Sequence, residues 1–490
     1  MRTVIVVDKL DNWPLHINGV EVVSSKEYLT GKEYDYSNKI RIFNLCRSYG
    51  YQTYGYYVSL LAAARGHKPI PSIATINEMK NVSIVKIAND DIDELLHKSL
   101  KQVVPDRFIL SIYFGKNLGK KYDPLAKVLY ATFPIPFMRA EFRKKDNKWQ
   151  IQSLRPISAN EIPESHHEFV ISAAEQYFSS KRFFRSRRKE HQYDIAILFN
   201  PDEDSPPSYE NDIKYFIKAA EKLGMHAEVI SKEDYPDLGQ YDGLFIRETT
   251  SVNHHTYRFA RKAVAEGLIV IDDPDSIEKC ANKVFLAELL SRHHIPHPKT
   301  LIAYKANRSE VLEKIKLPCV LKEPDGSFST GVFKANTEQE LNEHMDRLLK
   351  ISDLIITQEF LPTGFDWRVV MLDRKPLLVC KYHMVDKHWQ IQRKTKGGNT
   401  RYGKVETMTV EEAPEKVVHV AARAANAIGD GLYGVDLKQS GDNIYVIEVN
   451  DNPNLELGYE GKVLKEQLFI EVMKVFQKRI EERKQRGKKE

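Results

Sequence analysis

The 490-residue sequence is poor in cysteine and carries little net charge. Its cysteines, Cys46, Cys280, Cys319 and Cys380, lie far apart, and no pair has the C-x2-C spacing of a zinc site. We therefore expect neither a disulfide framework nor a cysteine-based zinc site, and a reducing cytoplasm is the predicted location. Because 73 basic residues are opposed by 68 acidic ones, the net charge of +5 does not require a nucleic-acid partner.

Long apolar segments are also missing. The run Val4–Val7 is ended by Asp8, Asp11 and Asn12, so no signal peptide is expected. No stretch approaches the roughly 18 apolar residues that a membrane span requires. With 42% hydrophobic and 29% charged residues, the composition is that of a globular protein. The sequence thus predicts a soluble protein of roughly three domains, with neither membrane nor nucleic acid as a partner.

Residues 1–190 are predicted to form an α+β domain. Strand-type composition occurs at Thr3–Val7, Arg107–Phe114 and Pro136–Arg143, and Tyr54–Arg65 has the pattern of a helix. A basic run at residues 181–189 follows. We interpret it as a solvated linker, with a nucleic-acid patch as the alternative, and expect a domain boundary there.

Residues 191–298 alternate between strand and helix patterns. The predicted strands are Asp194–Phe199, Ala227–Ile230, Gly243–Arg247 and Leu268–Ile271. A helix that opens at Pro206 is expected to end at Gly224, which suits a left-handed C-terminal residue. This alternation predicts a small parallel sheet with helices on its faces.

Residues 299–460 have the pattern of a mixed region with several hairpins, and residues 461–490 that of a C-terminal helix with a charged tail. Apolar residues recur in this helix at every fourth position: Leu464, Leu468, Val472, Phe476 and Ile480. We interpret the stripe as core packing, with a membrane or partner helix as the alternative. The tail from Glu481 is expected to fray.

The strongest chemical signal is a hairpin near the C-terminus. The strand-type runs Tyr433–Leu437 and Ile444–Asn450 flank a three-residue turn centred on Asp442. This centre places Asp436 directly opposite Glu448 on the neighbouring strand.

The same hairpin predicts a metal site. Asn450 shares the face of Asp436 and Glu448 because side chains alternate along a strand. The opposite face is predicted to hold Val435, Leu437, Ile447 and Val449. Two carboxylates and an amide oxygen are hard ligands that suit Mg²⁺, with Mn²⁺ as an alternative. The competing interpretation is that both acids are only exposed on an open sheet face.

Two further segments have features of a nucleotide site. Pro318–Glu323 is a predicted strand that carries Lys322, and the loop Gly326–Gly331 follows it. Such a loop can turn its N–H groups toward phosphate oxygens, although most glycine-containing hairpins bind nothing. Leu354–Thr357 is an apolar strand whose end can contact an adenine edge, or it is a core strand.

In this order, the motifs resemble the ATP-grasp superfamily, in its branch of RimK-type and glutathione-synthetase-like ligases, from about Asp194 to Gly458. The resemblance implies an α/β and α+β multidomain protein with an ATP-grasp fold. In this fold, a small parallel α/β domain precedes two α+β subdomains that clasp ATP. One departure is Asn282, which stands where many relatives have an aspartate before the phosphate lysine.

The resemblance also implies roles for individual residues. It assigns to ATP Lys283, Lys322, Asp325, Gly326, Ser327, Gly331, Gln358, Glu359, Phe360 and Asp366. It assigns to the metal ion Asp436, Glu448 and Asn450. Arg368, in the pattern Gly-x-Asp-x-Arg, and Arg393, near Gly397 and Gly398, are the candidates for contact with the substrate or the transferring phosphate.

Residues 1–190 resemble an uncharacterised domain found in front of RimK-like ligases. The segments Asn44–Tyr49 and Gly55–Tyr57 carry this likeness. Five tyrosines within Tyr49–Tyr57 are interpreted as packing residues, with stacking on a substrate as the alternative. The resemblance leaves the role of this domain open.

The implied activity joins a carboxylate to an amine through an acyl phosphate, with an amino acid or peptide, or a protein acceptor, as a substrate. Glutamate is the first amino acid to consider. Arg247 at a strand end can hold a substrate carboxylate or form an ion pair with Glu248. The alternatives are a small-molecule kinase and a non-catalytic ATP-binding regulator. The oligomeric state, including a homo-oligomer, is left open.

Overall fold

The computed structural model describes residues 2–17, 20–34, 40–80, 93–145, 148–179, 191–325, 331–384, 392–394 and 400–489. The chain forms two compact units: residues 1–190 with 233–240, and residues 191–232 with 241–490. The basic run at 181–189 lies outside the described residues. Within the described ranges, no helix has both the length and the apolar character to cross a membrane.

The first unit contains a parallel and an antiparallel sheet. The parallel sheet has the order β2-β1-β3-β4, with β1 (Arg2–Val7), β2 (Glu21–Ser24), β3 (Ile40–Asn44) and β4 (Lys68–Ile70). The antiparallel sheet has the order β5-β6-β7, with β5 (Arg107–Tyr113), β6 (Phe137–Lys145) and β7 (Lys148–Pro156). The helices are α1 (Ser25–Thr30), α2 (Tyr54–Ala64), α3 (Ile73–Lys80), α4 (Asp93–Leu100), α5 (Asp123–Thr132) and α6 (His167–Ser179).

The tyrosines around the start of α2 divide between the core and the surface. Tyr49 is buried, and its hydroxyl group donates a 2.5 Å hydrogen bond to the carbonyl group of Asn44. Tyr56 packs against the same core. Tyr51 and Tyr54 are 72% and 60% exposed, and Tyr57 is also exposed. The packing interpretation is therefore confirmed for Tyr49 and Tyr56, whereas Tyr51 and Tyr57 contact the Tyr56 ring, at centroid distances of 5.3 and 6.0 Å, while they stay exposed.

The second unit begins with the predicted alternation of strands and helices. Its parallel sheet has the order β11-β10-β8-β9, with β8 (Asp194–Leu198), β9 (His226–Ile230), β10 (Gly243–Ile246) and β11 (Ile269–Ile271). The helices are α7 (Glu210–Lys222), α8 (His255–Ala265), α9 (Pro274–Ala281) and α10 (Lys283–Arg292). Gly224 has a φ of 72°, which confirms the predicted left-handed residue after α7.

Two antiparallel sheets follow in the same unit. The first has the order β12-β15-β13-β14, with β12 (Thr300–Ala303), β13 (Cys319–Lys322), β14 (Val332–Ala335) and β15 (Ile355–Glu359). The strands that follow are β16 (Phe365–Leu372), β17 (Lys375–His383), β18 (Gln392–Lys394), β19 (Thr400–Tyr402), β20 (Val405–Met408), β21 (Leu432–Ser440) and β22 (Asn443–Asp451). Five of them form the second sheet, in the order β20-β17-β16-β21-β22, and β18 pairs with β19. The helices are α11 (Arg308–Lys314), α12 (Glu338–Leu348) and α13 (Glu415–Ile428).

The last helix, α14 (Glu466–Lys489), packs against the core of the second unit. Its buried apolar residues include Leu468, Val472, Phe476 and Ile480. The core interpretation of the apolar stripe is therefore confirmed. The expectation of a frayed tail from Glu481 is wrong, because the helix continues to Lys489. Lys484 lies over the ring of Tyr193, 4.2 Å from its centroid, and this contact adds to the packing of the last turns.

Candidate functional site

The hairpin β21–β22 places two carboxylates side by side. Its turn contains two residues, Gly441 and Asp442, rather than the predicted three. A β-bulge beside Asp436 adds one residue to β22 and thereby restores the pairing of Asp436 with Glu448. The predicted pairing is confirmed, although the predicted turn length is wrong.

The same bulge changes the direction of one apolar side chain. Three predicted neighbours are in the core: Val435, Leu437 and Val449. Ile447 instead lines a cleft together with Lys283, Lys322 and Gln358. The expectation that Ile447 faces the core is therefore wrong, because an extra residue in one strand breaks the alternation of its side chains.

Asp436 is bound by an arginine on the adjacent strand. Arg368 in β16 pairs in register with Asp436, and its Nε and Nη2 donate hydrogen bonds of 2.7 and 2.8 Å to the two carboxylate oxygens. Asn450 Nδ2 donates a third hydrogen bond, of 3.1 Å, to Asp436 Oδ2. The arginine and aspartate side chains are 17% and 20% exposed. The structure thus brings Arg368 together with two of the three predicted metal ligands.

Glu448 is held by the first residue of α10. Its Oε1 lies 3.1 Å from Lys283 Nζ. Burial alone would raise the pKa of Glu448, but the charges of Lys283 and Lys322 outweigh burial and hold it below its usual range. Burial, together with the like charges of Lys283 and Lys438, lowers the pKa of Lys322 to about 8, although the carboxylates of Glu448 and Asp366 oppose this shift. The two lysines predicted to contact phosphate therefore face Glu448.

A helix cap positions Lys283. Asn282 Oδ1 accepts hydrogen bonds from the N–H groups of Val284 and Phe285, as an N-cap residue does. The N–H group of Lys283 donates to the carbonyl group of Pro324, just after the strand that carries Lys322. Because asparagine and aspartate cap helices equally well, the departure from the family pattern at Asn282 preserves this function.

The loop after β13 is described only at its two ends. Gly326 and Ser327 lie outside the described residues. Asp325 Oδ1 accepts a 3.4 Å hydrogen bond from Asn282 Nδ2. Gly331 has a φ of 75°, and a Cβ atom there would lie 2.4 Å from Glu323 Oε2. The end of the loop thus requires glycine both for its backbone conformation and for space.

The predicted adenine segment ends β15. Gln358 is buried and lines the cleft beside Lys283. Glu359 Oε1 accepts a 2.8 Å hydrogen bond from the N–H group of Lys299, and Lys334 Nζ lies 3.9 Å from the ring centroid of Phe360. Of the three residues, Gln358 is thus the one whose side chain lines this cleft.

Asp366, one of the predicted ATP contacts, is paired with a lysine that sequence reasoning missed. Lys438 Nζ lies 2.5 Å from Asp366 Oδ1, and the Thr363 hydroxyl group donates to the same oxygen. Burial raises the pKa of Asp366, and the charge of Lys438 opposes that shift. Lys438 follows Asp436 by two residues, so the alternation of a strand would have revealed it on the same face.

Arg393, the second candidate for contact with the transferring phosphate, lies in β18. There it pairs with Arg401 of β19. The position of its side chain is not among the described features, and Gly397 and Gly398 lie outside the described residues. Its role stays a prediction.

Arg247 is completely buried, with 0% of its surface exposed. Its guanidinium group donates hydrogen bonds to Ser208 Oγ, Asn452 Oδ1 and the carbonyl groups of Pro207 and Pro453. Glu248 bonds instead to Nε2 of His255 at 2.6 Å, so the alternative of an Arg247–Glu248 ion pair is wrong. These contacts indicate that Arg247 positions Asn452 rather than a substrate carboxylate.

Asp272 is another buried residue that holds the hairpin. Sequence reasoning missed this role. Its carboxylate accepts hydrogen bonds of 2.6 Å from the N–H group of Leu432 and 2.7 Å from that of Asn452. These residues begin β21 and follow β22, so Asp272 joins the open end of the hairpin. Nothing local in the sequence signals this role, because both partners are distant along the chain.

The assembled face is suited to a polyphosphate and a hard cation. It carries the carboxylates of Asp366, Asp436 and Glu448 and the cations of Lys283, Lys322, Arg368 and Lys438. These seven side chains together carry one excess positive charge. Among the described residues, no three His, Cys, Asp or Glu side chains form a metal-binding group, so the candidate site depends on two carboxylates and one amide.

Comparison with known proteins identifies related sequences. Residues 25–173 match the RimK-like ATPgrasp N-terminal domain, and residues 280–472 match the RimK-like ATP-grasp domain. An α-aminoadipate–LysW ligase LysX from Saccharolobus solfataricus is 28% identical over 49% of this chain and 88% of its own length. A probable α-L-glutamate ligase from Vibrio atlanticus is 28% identical over 45% of this chain and 71% of its own.

A solved structure also overlaps the chain. The D-alanine–D-alanine ligase of Bacillus anthracis covers 59% of this chain and 99% of its own, with 14% identity and a TM-score of 0.48. The sequence matches confirm the predicted family, the RimK-like N-terminal domain and the predicted class of ATP-dependent ligase.

Proposed function

Because residues 280–472 belong to the RimK-like ATP-grasp family, we propose that this chain joins a carboxylate to an amine while ATP is split to ADP and phosphate. The observation that carries the proposal is the row Arg368–Asp436–Glu448 across three adjacent strands, with Lys283 and Lys322 facing it. Phosphoryl transfer depends mainly on positioning and on charge neutralisation, which this row provides.

Asp436, Glu448 and Asn450 would hold Mg²⁺, with Mn²⁺ as the alternative. Their oxygen atoms suit a hard cation, and the pairing of β21 with β22 brings them to one face. When bound, the metal ion supplies positive charge that neutralises the phosphate oxygens of ATP. Lys283 and Lys322 would hold the same phosphates as point charges, while Asp366 and Gln358 would contact the nucleoside.

The reaction would proceed in two steps. A substrate carboxylate oxygen attacks the γ-phosphorus of ATP, and the bond from that phosphorus to the bridging oxygen of ADP breaks. The amine nitrogen then attacks the acyl carbon, phosphate leaves with the acyl oxygen, and the nitrogen loses a proton to water. Arg368 would stabilise negative charge on the acyl phosphate because a guanidinium group matches phosphate geometry.

We propose an acidic amino acid, with glutamate first, as one of the two substrates. Support comes from two relatives, whose names refer to α-aminoadipate and to L-glutamate. Both are amino acids with a carboxylate side chain. The other substrate would be a small molecule, a peptide or a protein, since one relative is named for the acceptor LysW.

The test is phosphate release from Mg-ATP with single amino acids and with pairs, followed by mass spectrometry of the products. We expect release that depends on a pair and a product lighter by one water than the sum of its parts. Glu448→Gln should lower this turnover by roughly 100-fold or more. The matched control is Asp442→Asn, which makes the same kind of change at an exposed position of the same hairpin.

Other outcomes would identify a different activity. A stable phosphorylated product without phosphate release would indicate a kinase. Nucleotide binding without turnover, even with protein acceptors, would indicate a regulatory site. Full turnover by a folded Glu448→Gln variant would disprove the metal assignment.

A further inference from the structure

Both carboxylates of the candidate metal site are paired with cationic side chains. Arg368 donates to the two oxygens of Asp436 at 2.7 and 2.8 Å, and Lys283 Nζ lies 3.1 Å from Glu448 Oε1. All four side chains are less than 30% exposed. Such partly buried pairs are screened less by water and salt than surface pairs are.

We propose that Arg368 and Lys283 determine the specificity of the metal site, because they occupy its carboxylates and admit a divalent cation only together with a polyphosphate. This inference rests on the proposed function, since it takes Asp436 and Glu448 as the metal ligands. It goes further in assigning the two cations a role before any reaction begins.

A metal ion alone is excluded because the separation of paired charges in a buried site is energetically unfavourable. A cation that arrives alone must displace Arg368 and Lys283 from their carboxylates, so two pairs of opposite charges are lost in a confined site. Breaking a buried ion pair in this way is strongly unfavourable. A metal–polyphosphate complex supplies phosphate oxygens to the two displaced cations while its metal takes the carboxylates. The number of opposite-charge contacts is then preserved.

Lys322 strengthens the preference for a metal–polyphosphate complex over a metal ion alone. Lys322 is a third cation that lies buried near Glu448 and Lys283. An added divalent cation would raise the positive charge around Lys322, whereas added phosphates would lower it. Because binding linkage is reciprocal, the nucleotide should raise metal affinity by the same factor by which the metal raises nucleotide affinity.

The test measures Mn²⁺ binding by the electron paramagnetic resonance signal of free Mn²⁺, with and without a non-hydrolysable ATP analogue. We expect the wild-type protein to bind Mn²⁺ much more tightly with the analogue. Arg368→Gln should bind Mn²⁺ alone about tenfold more tightly than wild type, because the guanidinium group no longer competes for Asp436. Lys283→Gln should change the affinity in the same direction through Glu448.

The matched control is Lys438→Gln. It removes a cation from the same sheet face, but the partner of Lys438 is Asp366, which is not a proposed metal ligand. We expect a change in Mn²⁺ affinity below about threefold, because only the general charge of the face is altered. Circular dichroism of each variant checks that it is folded.

Two results would overturn the inference while leaving the proposed function intact. One is a wild-type protein that binds Mn²⁺ equally tightly with and without the analogue. The other is an equal effect of Arg368→Gln and Lys438→Gln, which would show that only net charge matters. The absence of Mn²⁺ binding even with the bound analogue would instead disprove the metal site itself, and the inference with it.

Discussion

The hydroxyl group of Tyr382 donates a 2.5 Å hydrogen bond to Oε1 of Glu460, a carboxylate that is only 2% exposed. Burial raises the pKa of both groups. The Tyr382 ring lies 5.3 Å from the guanidinium carbon of Arg368. Tyr382 therefore links a buried acid to the arginine that binds Asp436.

Replacement of Tyr382 should separate these two contacts. Tyr382→Phe keeps the ring but leaves Glu460 without its hydroxyl partner, so the free energy of unfolding should fall by about 1–3 kcal/mol. Tyr382→Leu also removes the cation–π contact, worth about 0.5–2 kcal/mol, and should lower ATP turnover further. Urea unfolding and phosphate release measure the two effects. Unchanged stability of Tyr382→Phe would contradict the role given to its hydroxyl group.

Gly331 and Gly224 allow a matched comparison, because both have a positive φ near 75°. Each alanine variant should lose roughly 1 kcal/mol of stability from backbone strain. A Cβ atom at Gly331 also meets Glu323, whereas none of the surrounding atoms lies within 4 Å at Gly224. Only Gly331→Ala should therefore raise the KM for ATP, since it displaces the loop beside Lys322. An equal KM for both variants would argue against a nucleotide role for this loop.

Phe476 anchors α14 to the parallel sheet of the second unit. It is 0% exposed, its ring centroid lies 5.7 Å from that of Phe245, and a Cβ atom at Gly243 would approach its Cδ1 to 2.9 Å. Phe476→Ala should lower the free energy of unfolding by about 3–5 kcal/mol. Lys474→Ala, at a half-exposed position on the same helix, should change it by less than about 0.5 kcal/mol. Denaturant titration of both variants tests this difference.

Glu456 should make stability depend on pH. Burial, together with the neighbouring carboxylates of Glu460 and Asp212, raises its pKa from 4.5 to about 7, although Asn454 and Arg247 oppose the shift. A raised acid pKa means that the folded state holds its proton more tightly than the unfolded state.

This contribution is fully present below about pH 4.5 and is lost as the pH rises through about 7. The free energy of unfolding should therefore fall between pH 5 and pH 8, and Glu456→Gln should show a smaller fall. Urea titrations across this pH range measure the fall in the free energy of unfolding for the wild type and the variant. Parallel curves for the wild type and the variant would exclude Glu456 as a source of the dependence.

The local elements are the part of the fold that the sequence predicts well. The pairing of Asp436 with Glu448 follows from the alternation of two short strands around one turn, and both carboxylates lie on the expected face. The apolar stripe of α14 likewise indicates its buried face. These features depend on neighbours a few residues apart, which periodicity describes.

Irregular features of the same elements escape such reasoning. The bulge in β22 turns Ile447 into the cleft, although strict alternation assigns it to the core. The helix at Glu481 continues despite its charged sequence. An inserted residue breaks the alternation of β22, and the Glu, Arg, Lys and Gln residues after Ile480 are good helix formers although they are charged, so hydrophobic periodicity describes neither feature.

The sequence by itself determined which residues could supply the chemistry. These are carboxylates on one face of a hairpin, lysines at the ends of strands and helices, and an arginine two residues after Asp366. Only the tertiary structure decided their partners. Arg368 reached Asp436 through the order of strands in the sheet, and Lys283 reached Glu448 through the placement of α10. Local periodicity fixes the direction of a side chain within an element, whereas contacts between distant segments depend on how those elements pack.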